Sequence, residues 1–465
     1  MKDKLFQKFD EVSAQQWKQK IQYDLKGADY NEKLIYRSLD GINIKPFYHQ
    51  DDVSQSIKTP SPKNWNVCER IYVASEKISN SIAKNAIEKG AESLWFVIPD
   101  EETDIASLFH GIDLKNLPVY ISTEFLSGSY IRKILKFIEG KESSVFLQTD
   151  IIGNLARTGN WFYNLKQDHE IIADIVEISG AFKSVISVDS TLYQNAGATI
   201  PQQLAYTLAH ANEYLNLNAE NGNSQHSKEG LQLQFIVASG SNYFFEIAKI
   251  KALRWLFATL AKEYNIADNC HILALPSKRN KTLYDYNVNM LRTTTESLSA
   301  ILGGADTVYN LPYDAIFHKN NEFGDRVARN QLLVMKNEAY LDKVSNAAEG
   351  TYYIESLTRQ FAEMALDIFK KIEKNGGFLK QLKEGIIQRK INESASAEQE
   401  QFDNGKIVLI GTNTFENPED KMKDDLELYP FLKKNPRKTL IPPILEKRLS
   451  EKMEQEKLEQ EKAEK

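Results

Sequence analysis

The side chains of this sequence that are capable of chemistry are few and widely spaced. Five of its seven histidines form neither an H-x-x-x-H nor an E-x-x-H pair, so the zinc-hydrolase pattern is absent. There is no P-loop and no G-x-S-x-G nucleophile motif. One of the five begins a predicted strand, where a core or rim position is more typical than a catalytic one. The five are His169, His210, His226, His271 and His318.

Carboxylates and thiols, the other residue types used for acid–base and metal chemistry, add no recognisable site. The adjacent pairs Glu101-Glu102 and Asp51-Asp52 lie in predicted loops, where such pairs usually face solvent. Two cysteines, Cys68 and Cys270, cannot form a disulfide framework or a four-thiolate metal site. Motifs alone therefore predict neither a catalytic centre nor a metal site.

The overall composition narrows the class of protein. The chain has 465 residues, 42% of them hydrophobic, and its 58 basic and 64 acidic side chains give a net charge of −6. A domain-wide basic surface for nucleic acid is therefore absent. The N-terminus has no apolar run of a signal peptide, and no window approaches the roughly 18 apolar residues of a membrane span. With so few cysteines, a cytoplasmic protein that binds neither membrane nor nucleic acid is predicted.

A regular alternation of strands and helices must position whatever chemistry exists. Between residues 64 and 340, short apolar runs alternate with longer helical patterns such as Tyr243–Tyr264. Six of the seven runs have no polar face, which is typical of strands buried on both sides of a parallel sheet. The predicted strands are Leu94–Ile98, Val119–Ser122, Val145–Thr149, Val185–Val188, Leu233–Ala238, His271–Leu275 and Thr307–Leu311.

These repeated strand–helix units predict an α/β fold, specifically a (β/α)₈ barrel of the TIM type. The eighth strand is ambiguous, with Val408–Gly411 and Tyr352–Ile354 as candidates. No G-x-G-x-x-G motif follows the first strand, which disfavours a dinucleotide-binding fold.

Segments outside the barrel have a different composition. We assign residues 61–390 to the barrel and 391–465 to a linker, a short final segment and a charged tail. Residues 391–405 are polar and favour a linker. Residues 444–465 alternate Glu and Lys, which is typical of a solvated helix that frays.

Residues 1–60 form a predicted N-terminal arm that is poor in aliphatic residues. Ser13 can cap a helix that carries Trp17, Ile21 and Leu25 at a spacing of four. A turn at residues 39–42 joins two short extended runs. Because the arm cannot form its own core, it must lie on the body of this chain or on another chain, and composition does not distinguish the two.

Several sequence blocks resemble methylmalonyl-CoA mutases. In consistent order between about residues 30 and 415, the chain carries an S-L-D-G-I-N-I-K-P-F-Y segment, A-G-A-T followed by L-A-Y-T-L-A, a long helix, a strand–helix block that ends in a double glycine, and E-G-T-Y-Y-I-E-S-L-T with a later G-G-F. The blocks are residues 38–48, 196–199 with 204–209, 245–255, 286–304, and 349–358 with 376–378.

The resemblance implies a barrel related to enzymes that rearrange acyl-CoA thioesters with adenosylcobalamin. In that family a flavodoxin-like domain after the barrel carries a D-x-H-x-x-G motif, whose histidine lies under cobalt. The motif is absent from this sequence, so we expect no cobalamin-binding domain and no cobalamin on this chain.

Positions that carry the chemistry in catalytic family members also differ. The family's histidine four residues before A-G-A-T, which polarises the thioester, is replaced by Leu192. A tyrosine in a run that precedes the first strand corresponds to Arg70, and a serine- and arginine-rich loop is replaced by residues 276–282. A leucine cannot donate the hydrogen bond that such catalysis needs. The resemblance therefore implies that this chain has no catalytic residues of its own.

With these replacements at several independent positions, the chain resembles the small subunit of a heterodimeric methylmalonyl-CoA mutase. The implied partner is a large catalytic chain that carries the cobalamin, and the arm around Trp17 and Tyr23 is the expected contact. Two alternatives remain open: weak binding of acyl-CoA or cobalamin by this chain itself, or a free-standing binding or chaperone protein derived from the barrel. The acyl group that the complex accepts also remains open.

Overall fold

Eight parallel strands close into a barrel, which confirms the predicted fold class. The computed structural model describes residues 10–52, 57–220, 232–432 and 437–463. The barrel order is β10-β3-β4-β5-β6-β7-β8-β9, every pair parallel. The strands are β3 (Asn66–Tyr72), β4 (Ser93–Ile98), β5 (Val119–Thr123), β6 (Val145–Thr149), β7 (Ser184–Asp189), β8 (Leu233–Ser239), β9 (His271–Pro276) and β10 (Thr307–Tyr309).

Helices surround the barrel, and many begin at a residue whose side chain caps the first turn. Ser127, Asp150, Asn164 and Asn321 each accept a hydrogen bond from a backbone N–H in that turn. Among the described residues the helices of the barrel region are α3 (Glu76–Glu88), α4 (Ile105–Leu108), α5 (Gly128–Ile138), α6 (Ile151–Thr158), α7 (Leu165–Glu177), α8 (Thr191–Asn195), α9 (Ile200–Glu220), α10 (Tyr243–Tyr264), α11 (Val288–Gly303) and α12 (Glu322–Asn337).

Further elements precede and follow the barrel. The arm contains α1 (Ala14–Asp24), α2 (Tyr30–Leu34) and a small antiparallel hairpin of β1 (Tyr36–Arg37) and β2 (Asn43–Ile44). Ser13 and Gln16 form the capping box of α1. The C-terminal helices are α13 (Tyr352–Lys374), α14 (Phe378–Lys383), α15 (Ile386–Asp403) and α16 (Glu451–Ala463). No helix among the described residues is long and apolar enough to cross a membrane.

Large side chains fill the interior of the barrel. Trp95, Tyr120, Phe146 and Tyr309 form a buried cluster together with smaller residues of the strands. The Tyr120 and Phe146 rings stack with centroids 4.9 Å apart, and the Tyr120 hydroxyl lies 2.8 Å from His271 Nε2. A larger apolar core lies between the strands and the helices. The barrel is thus a packed core along its axis.

The eighth strand is neither of the two predicted candidates. It is β3, Asn66–Tyr72, and it is the first strand of the barrel. Tyr352–Ile354 instead begins helix α13, and in residues 408–411 the structure has a single bridge from Ile410 to Thr414. The charged residues Glu69 and Arg70 interrupt the apolar pattern of this strand, so the sequence did not predict it. Glu69 can be buried there because Arg329 Nη1 donates to its carboxylate at 2.9 Å.

The predicted linker at 391–405 is wrong, because helix α15 runs from Ile386 to Asp403 and crosses residue 390 without a break. Ile387, Ile391 and Phe402 are buried along this helix. Its Ser, Ala, Glu and Gln residues made it read as polar, yet most of these are tolerated or favoured in helices.

The charged tail is helical, but it is not solvated on all sides. Glu451, Glu454 and Glu461 of helix α16 are buried. Their carboxylates accept hydrogen bonds from backbone N–H groups of neighbouring loops, among them Leu283 at 2.8 Å and Met422 at 2.9 Å. Glutamates that satisfy loop backbone are indistinguishable in sequence from glutamates that face solvent, so the expectation of a solvated tail is wrong for this face.

Candidate functional site

Both altered positions map to the carboxyl end of the barrel strands, where enzymes of this fold place their active sites. Arg70 lies near the end of β3, within the first strand rather than before it as the sequence comparison suggested. Leu192 lies in the short helix α8, which directly follows β7. Any catalytic or ligand-binding residues of this barrel are therefore expected in the loops after these strands.

Leu192 is part of the apolar core and not of an open site. Its side chain is 1% exposed and packs within the cluster between the strands and the helices. An aliphatic side chain in such a place gives no hydrogen bond to a thioester oxygen. A polar residue substituted there without a partner would be unfavourable.

A buried triad next to Leu192 was not found from sequence. The Tyr193 hydroxyl lies 3.0 Å from His210 Nδ1, and His210 Nε2 lies 2.9 Å from Asp150 Oδ1. Asp150 also accepts from the Tyr214 hydroxyl at 2.8 Å. The three positions are 60 and 17 residues apart along the chain, so no local motif connects them.

The triad has the composition of a proton relay but the surroundings of a structural network. Tyr193 and His210 are fully buried, and burial raises the pKa of the Tyr193 hydroxyl well above its ordinary value, with Asp150 adding to the effect. Burial alone would raise the pKa of Asp150, but His210 and the N–H groups of Asp189 and Gly153 outweigh it and lower that pKa. The Asp150 carboxylate therefore stays ionised, and the triad uses it to hold together the segments that follow β6 and β7.

The A-G-A-T turn borders a small cavity of about 160 Å³. Gly197 has φ +93°, and a Cβ added there would lie 2.7 Å from both Ala395 of helix α15 and the Arg279 guanidinium. The turn therefore requires glycine because another part of the chain packs directly on it. Asp40 of the arm lines the same cavity and accepts from the Ile200 N–H at 2.7 Å. Burial raises the pKa of Asp40 to about 6, against the opposing effect of that N–H.

The loop that replaces the serine- and arginine-rich segment is used for internal packing. Lys281 Nζ lies 2.7 Å from Glu296 Oε2, and both side chains are buried. Arg279 Nε donates to Glu398 Oε2 at 2.5 Å, and its Nη1 donates to the Lys447 carbonyl at 2.8 Å. These cations are already paired within the chain, so they are not available to an acyl-CoA phosphate.

The C-terminal segment, residues 437–463, lies across the loops at the carboxyl end. The N–H of Ile441 donates to the Gly159 carbonyl, and that of Ile444 donates to the Ala156 carbonyl. Further along, the N–H of Lys447 donates to Asn195 and that of Leu449 to Arg279. The C-terminal segment thus contacts the end of helix α6, the end of helix α8 after β7, and the loop after β9. Leu192, in helix α8 next to Asn195, is itself buried in the apolar core.

The predicted contact residues of the arm are exposed. Trp17 is 50% and Tyr23 79% exposed, and helix α1 has no buried residue. In contrast, the rest of the arm packs on the body of this chain: Ile42 of the hairpin turn is buried in the core, and the Tyr48 ring lies 4.9 Å from that of Tyr353 of helix α13. The structure therefore seats the second half of the arm on this chain and leaves α1 without a buried face.

The other candidate groups do not come together. Cys68 and Cys270 are buried and free. Burial raises the pKa of each thiol to about 12. His271 packs in the barrel against Tyr120 and Phe146. Among the described residues no group of three His, Cys, Asp or Glu side chains is placed to hold a metal ion, and His226 lies outside those residues.

Comparison with known proteins gives consistent matches. The family model for methylmalonyl-CoA mutase matches residues 97–461. A Porphyromonas gingivalis protein described as methylmalonyl-CoA mutase small subunit is 31% identical over 450 residues, which cover 90% of this chain and 72% of that protein. The protein of the same description from Streptomyces virginiae is 27% identical over 443 residues, covering 88% and 71%.

Longer relatives match over part of their length. The methylmalonyl-CoA mutase of Rhizobium meliloti is 27% identical over 459 residues, which cover 85% of this chain. The chain spans 63% of that relative, which is less than two thirds of its length.

Proposed function

The chain belongs to the methylmalonyl-CoA mutase family, and from this premise we propose that it is the non-catalytic small subunit of a heterodimeric, adenosylcobalamin-dependent mutase. Its partner is the large chain that interconverts (R)-methylmalonyl-CoA and succinyl-CoA. Its role is to hold and stabilise that chain. The observation that carries the proposal is the burial of Leu192, the counterpart of the family's thioester-polarising histidine, in an apolar core.

In the part of the chain that the structure describes, the two histidines His210 and His318 are already engaged within the chain and are not free to ligate cobalt. His318 is bonded on both sides, with Nδ1 3.2 Å from Asp314 and Nε2 3.3 Å from Asp425. His210 is fully buried in its triad. The described residues therefore do not fit the cofactor, and we assign cobalamin to the large chain.

Contact with the large chain is assigned to helix α1. The Trp17 indole lies with its ring centroid 6.4 Å from that of Phe47 and stays half exposed. Exposed aromatic side chains of this kind are the usual anchors of protein interfaces. The names of the small-subunit relatives support a partner of larger size.

Substitution of Trp17 by alanine is expected to weaken assembly with the large chain by roughly tenfold or more, because central aromatic anchors carry a large share of interface free energy. Affinity is measured with both purified chains. Leu291→Ala is the matched control, since Leu291 is 68% exposed but lies on helix α11. Equal affinity of Trp17→Ala and wild type would place the interface elsewhere.

Restoring a histidine at Leu192 is expected to give no mutase activity in the isolated chain, alone or with Arg70→Tyr. One lost electrostatic stabiliser costs about 10²–10³ in rate, and the cobalt ligand is missing as well. Histidine at this buried position is expected to lower stability, but in complexes that still assemble, turnover per complex should stay within about twofold, because the proposed working site is in the other barrel. A large loss of complex turnover without loss of assembly would show that this barrel takes part in catalysis.

A further inference from the structure

Two of the three isoleucines of helix α3 point away from the barrel. Ile78 and Ile82, which lie about one turn apart on the same face, are 64% and 43% exposed. A helix on the outside of a barrel ordinarily turns its apolar side chains toward the core. Here the fully buried positions of the helix have small or polar side chains, namely Ser79, Asn80, Ala83 and Ala86.

The orientation of helix α3 is fixed by the contacts of its buried face. Asn80 Nδ2 donates to the carbonyls of Leu108 at 2.8 Å and His110 at 3.0 Å. Turning the helix to bury Ile78 breaks both hydrogen bonds and leaves a buried amide without acceptors, which is costly. The isoleucines therefore stay outside, and only a second surface can cover them.

The apolar surface continues beyond the helix. Ile82 also borders a cleft of about 760 Å³, whose other aliphatic walls are Ile71, Ala86 and Leu428. Contiguous apolar surface of this kind, unlike single exposed apolar residues, marks an interaction site.

A pair of opposite charges flanks the isoleucines. Lys77 and Glu88 are exposed near the two ends of helix α3. They are eleven residues apart, which brings them to within about 20° of each other around the helix axis. In the described part of the chain, neither side chain has an ion pair or a hydrogen bond. One line of the helix thus carries a positive charge at its start and a negative charge at its end.

We propose that this face binds a second copy of the chain, with the two α3 helices antiparallel about a two-fold axis. In that arrangement Lys77 of each copy lies opposite Glu88 of the other, so the charges are complementary twice. Ile82 lies beside the midpoint between these two residues and therefore next to the axis. The apolar side chains of each copy are then covered by those of the other.

The proposed contact is compatible with the arm. The arm packs on helix α13 through Tyr48 and Tyr353, and α13 packs on α9 and α10. These helices follow β7 and β8, whereas α3 joins β3 to β4 on the other side of the barrel. The proposal therefore does not depend on a large chain, and it is tested on this chain alone.

Sedimentation equilibrium of the full-length chain measures the self-association. A pair of short helices with their flanking side chains buries less than the roughly 1,600 Å² of a standard interface. We therefore expect a reversible dimer with a Kd in the micromolar range, about 1–100 μM. A wild-type chain that stays monomeric at about 200 μM overturns the proposal.

Substitution of Ile82 by glutamate is expected to leave no detectable dimer at about 200 μM, because it places two like charges next to the axis. Leu291→Glu is the matched control, since Leu291 is 68% exposed but lies on helix α11, and its dimer should be as tight as that of the wild type. Circular dichroism shows that both variants are folded. A folded Ile82→Glu variant that dimerises like the wild type overturns the proposal.

Exchange of the flanking charges tests the antiparallel pairing itself. Lys77→Glu and Glu88→Lys are each expected to weaken the dimer by about tenfold, because two attractive pairs become repulsive. An equimolar mixture of the two variants, and the double variant with the charges exchanged, should dimerise within about threefold of the wild type, since every pair is again of opposite sign. Single variants as tight as the wild type, or a mixture no tighter than its components, contradict the antiparallel arrangement.

Discussion

Substitution of Arg448 by alanine is expected to lower the free energy of unfolding by about 3–5 kcal/mol, because it leaves a buried carboxylate without its cation. Arg448 Nη2 lies 2.6 Å from Glu454 Oε2, and the two side chains are 6% and 1% exposed. The same guanidinium donates from Nη1 to the Lys281 carbonyl at 2.9 Å. It also donates to the Pro430 carbonyl from Nε and Nη2. One side chain thus ties the C-terminal segment to the loop after β9.

Two further variants separate the charge from the packing. In Arg448→Met with Glu454→Gln, both charges are gone, while the amide oxygen of the glutamine still accepts from the Leu283 N–H. We expect this double variant to recover half or more of the lost stability, because a neutral pair costs little to bury. Arg389→Ala, at an exposed position of helix α15, should change stability by less than about 0.5 kcal/mol.

Urea unfolding followed by circular dichroism measures these differences. A change below about 1 kcal/mol for Arg448→Ala would contradict the account, since breaking a buried pair costs more. So would a double variant that is no more stable than the single one. Either result would mean that the C-terminal segment does not hold the carboxyl-end loops in the way described.

Seven of the eight barrel strands were predictable because each is buried on both faces, and the apolar run then marks the strand by itself. Strand β3 was not predictable in this way. Its Glu69 is neutralised by Arg329, which is 260 residues away in sequence, so the charged residue reads locally as a break in the pattern. The compensation exists only in the folded chain.

The C-terminal helix α16 shows that the sequence also does not distinguish charged residues at the surface from charged residues that are buried. Its alternation of Glu and Lys predicts solvent on all sides, whereas Glu454 and Glu461 accept backbone N–H groups of Leu283 and Met422. These N–H groups belong to loops and would have no acceptor without the glutamates. Nothing in the loop sequences indicates that need. Deletion of residues 446–465 is therefore expected to cost stability, contrary to the view of a solvated tail.

The candidate site was predictable in one respect and not in another. Leu192 and Arg70 were found because the A-G-A-T block and the segment before it resemble family motifs in order along the chain. The triad of Asp150, His210 and Tyr193 depends on the approach of β6, α8 and α9 in space. No spacing along the sequence reports such an approach.

The central claim, that this chain supports a catalytic partner and does no chemistry itself, leads to an all-or-none expectation for activity. The isolated chain has a leucine where the thioester-polarising histidine is needed, and its described histidines near the carboxyl end are bonded or buried. Because both the thioester-polarising histidine and a cobalt ligand are lacking, no single substitution is expected to restore mutase activity. Under the proposed function the complex should be active, because the proposed large chain would bring both the histidine and the cobalt ligand.

Parallel measurement of bound cobalamin and mutase turnover, in the isolated chain and in its complex with a longer mutase chain that carries D-x-H-x-x-G, tests this claim most directly. We predict that the isolated chain shows no turnover and no tight cobalamin binding in equilibrium dialysis. The co-purified complex should retain cobalamin and convert (R)-methylmalonyl-CoA to succinyl-CoA. Micromolar or tighter cobalamin binding by the isolated chain, turnover without the large chain, or failure of the two chains to co-purify would contradict the account.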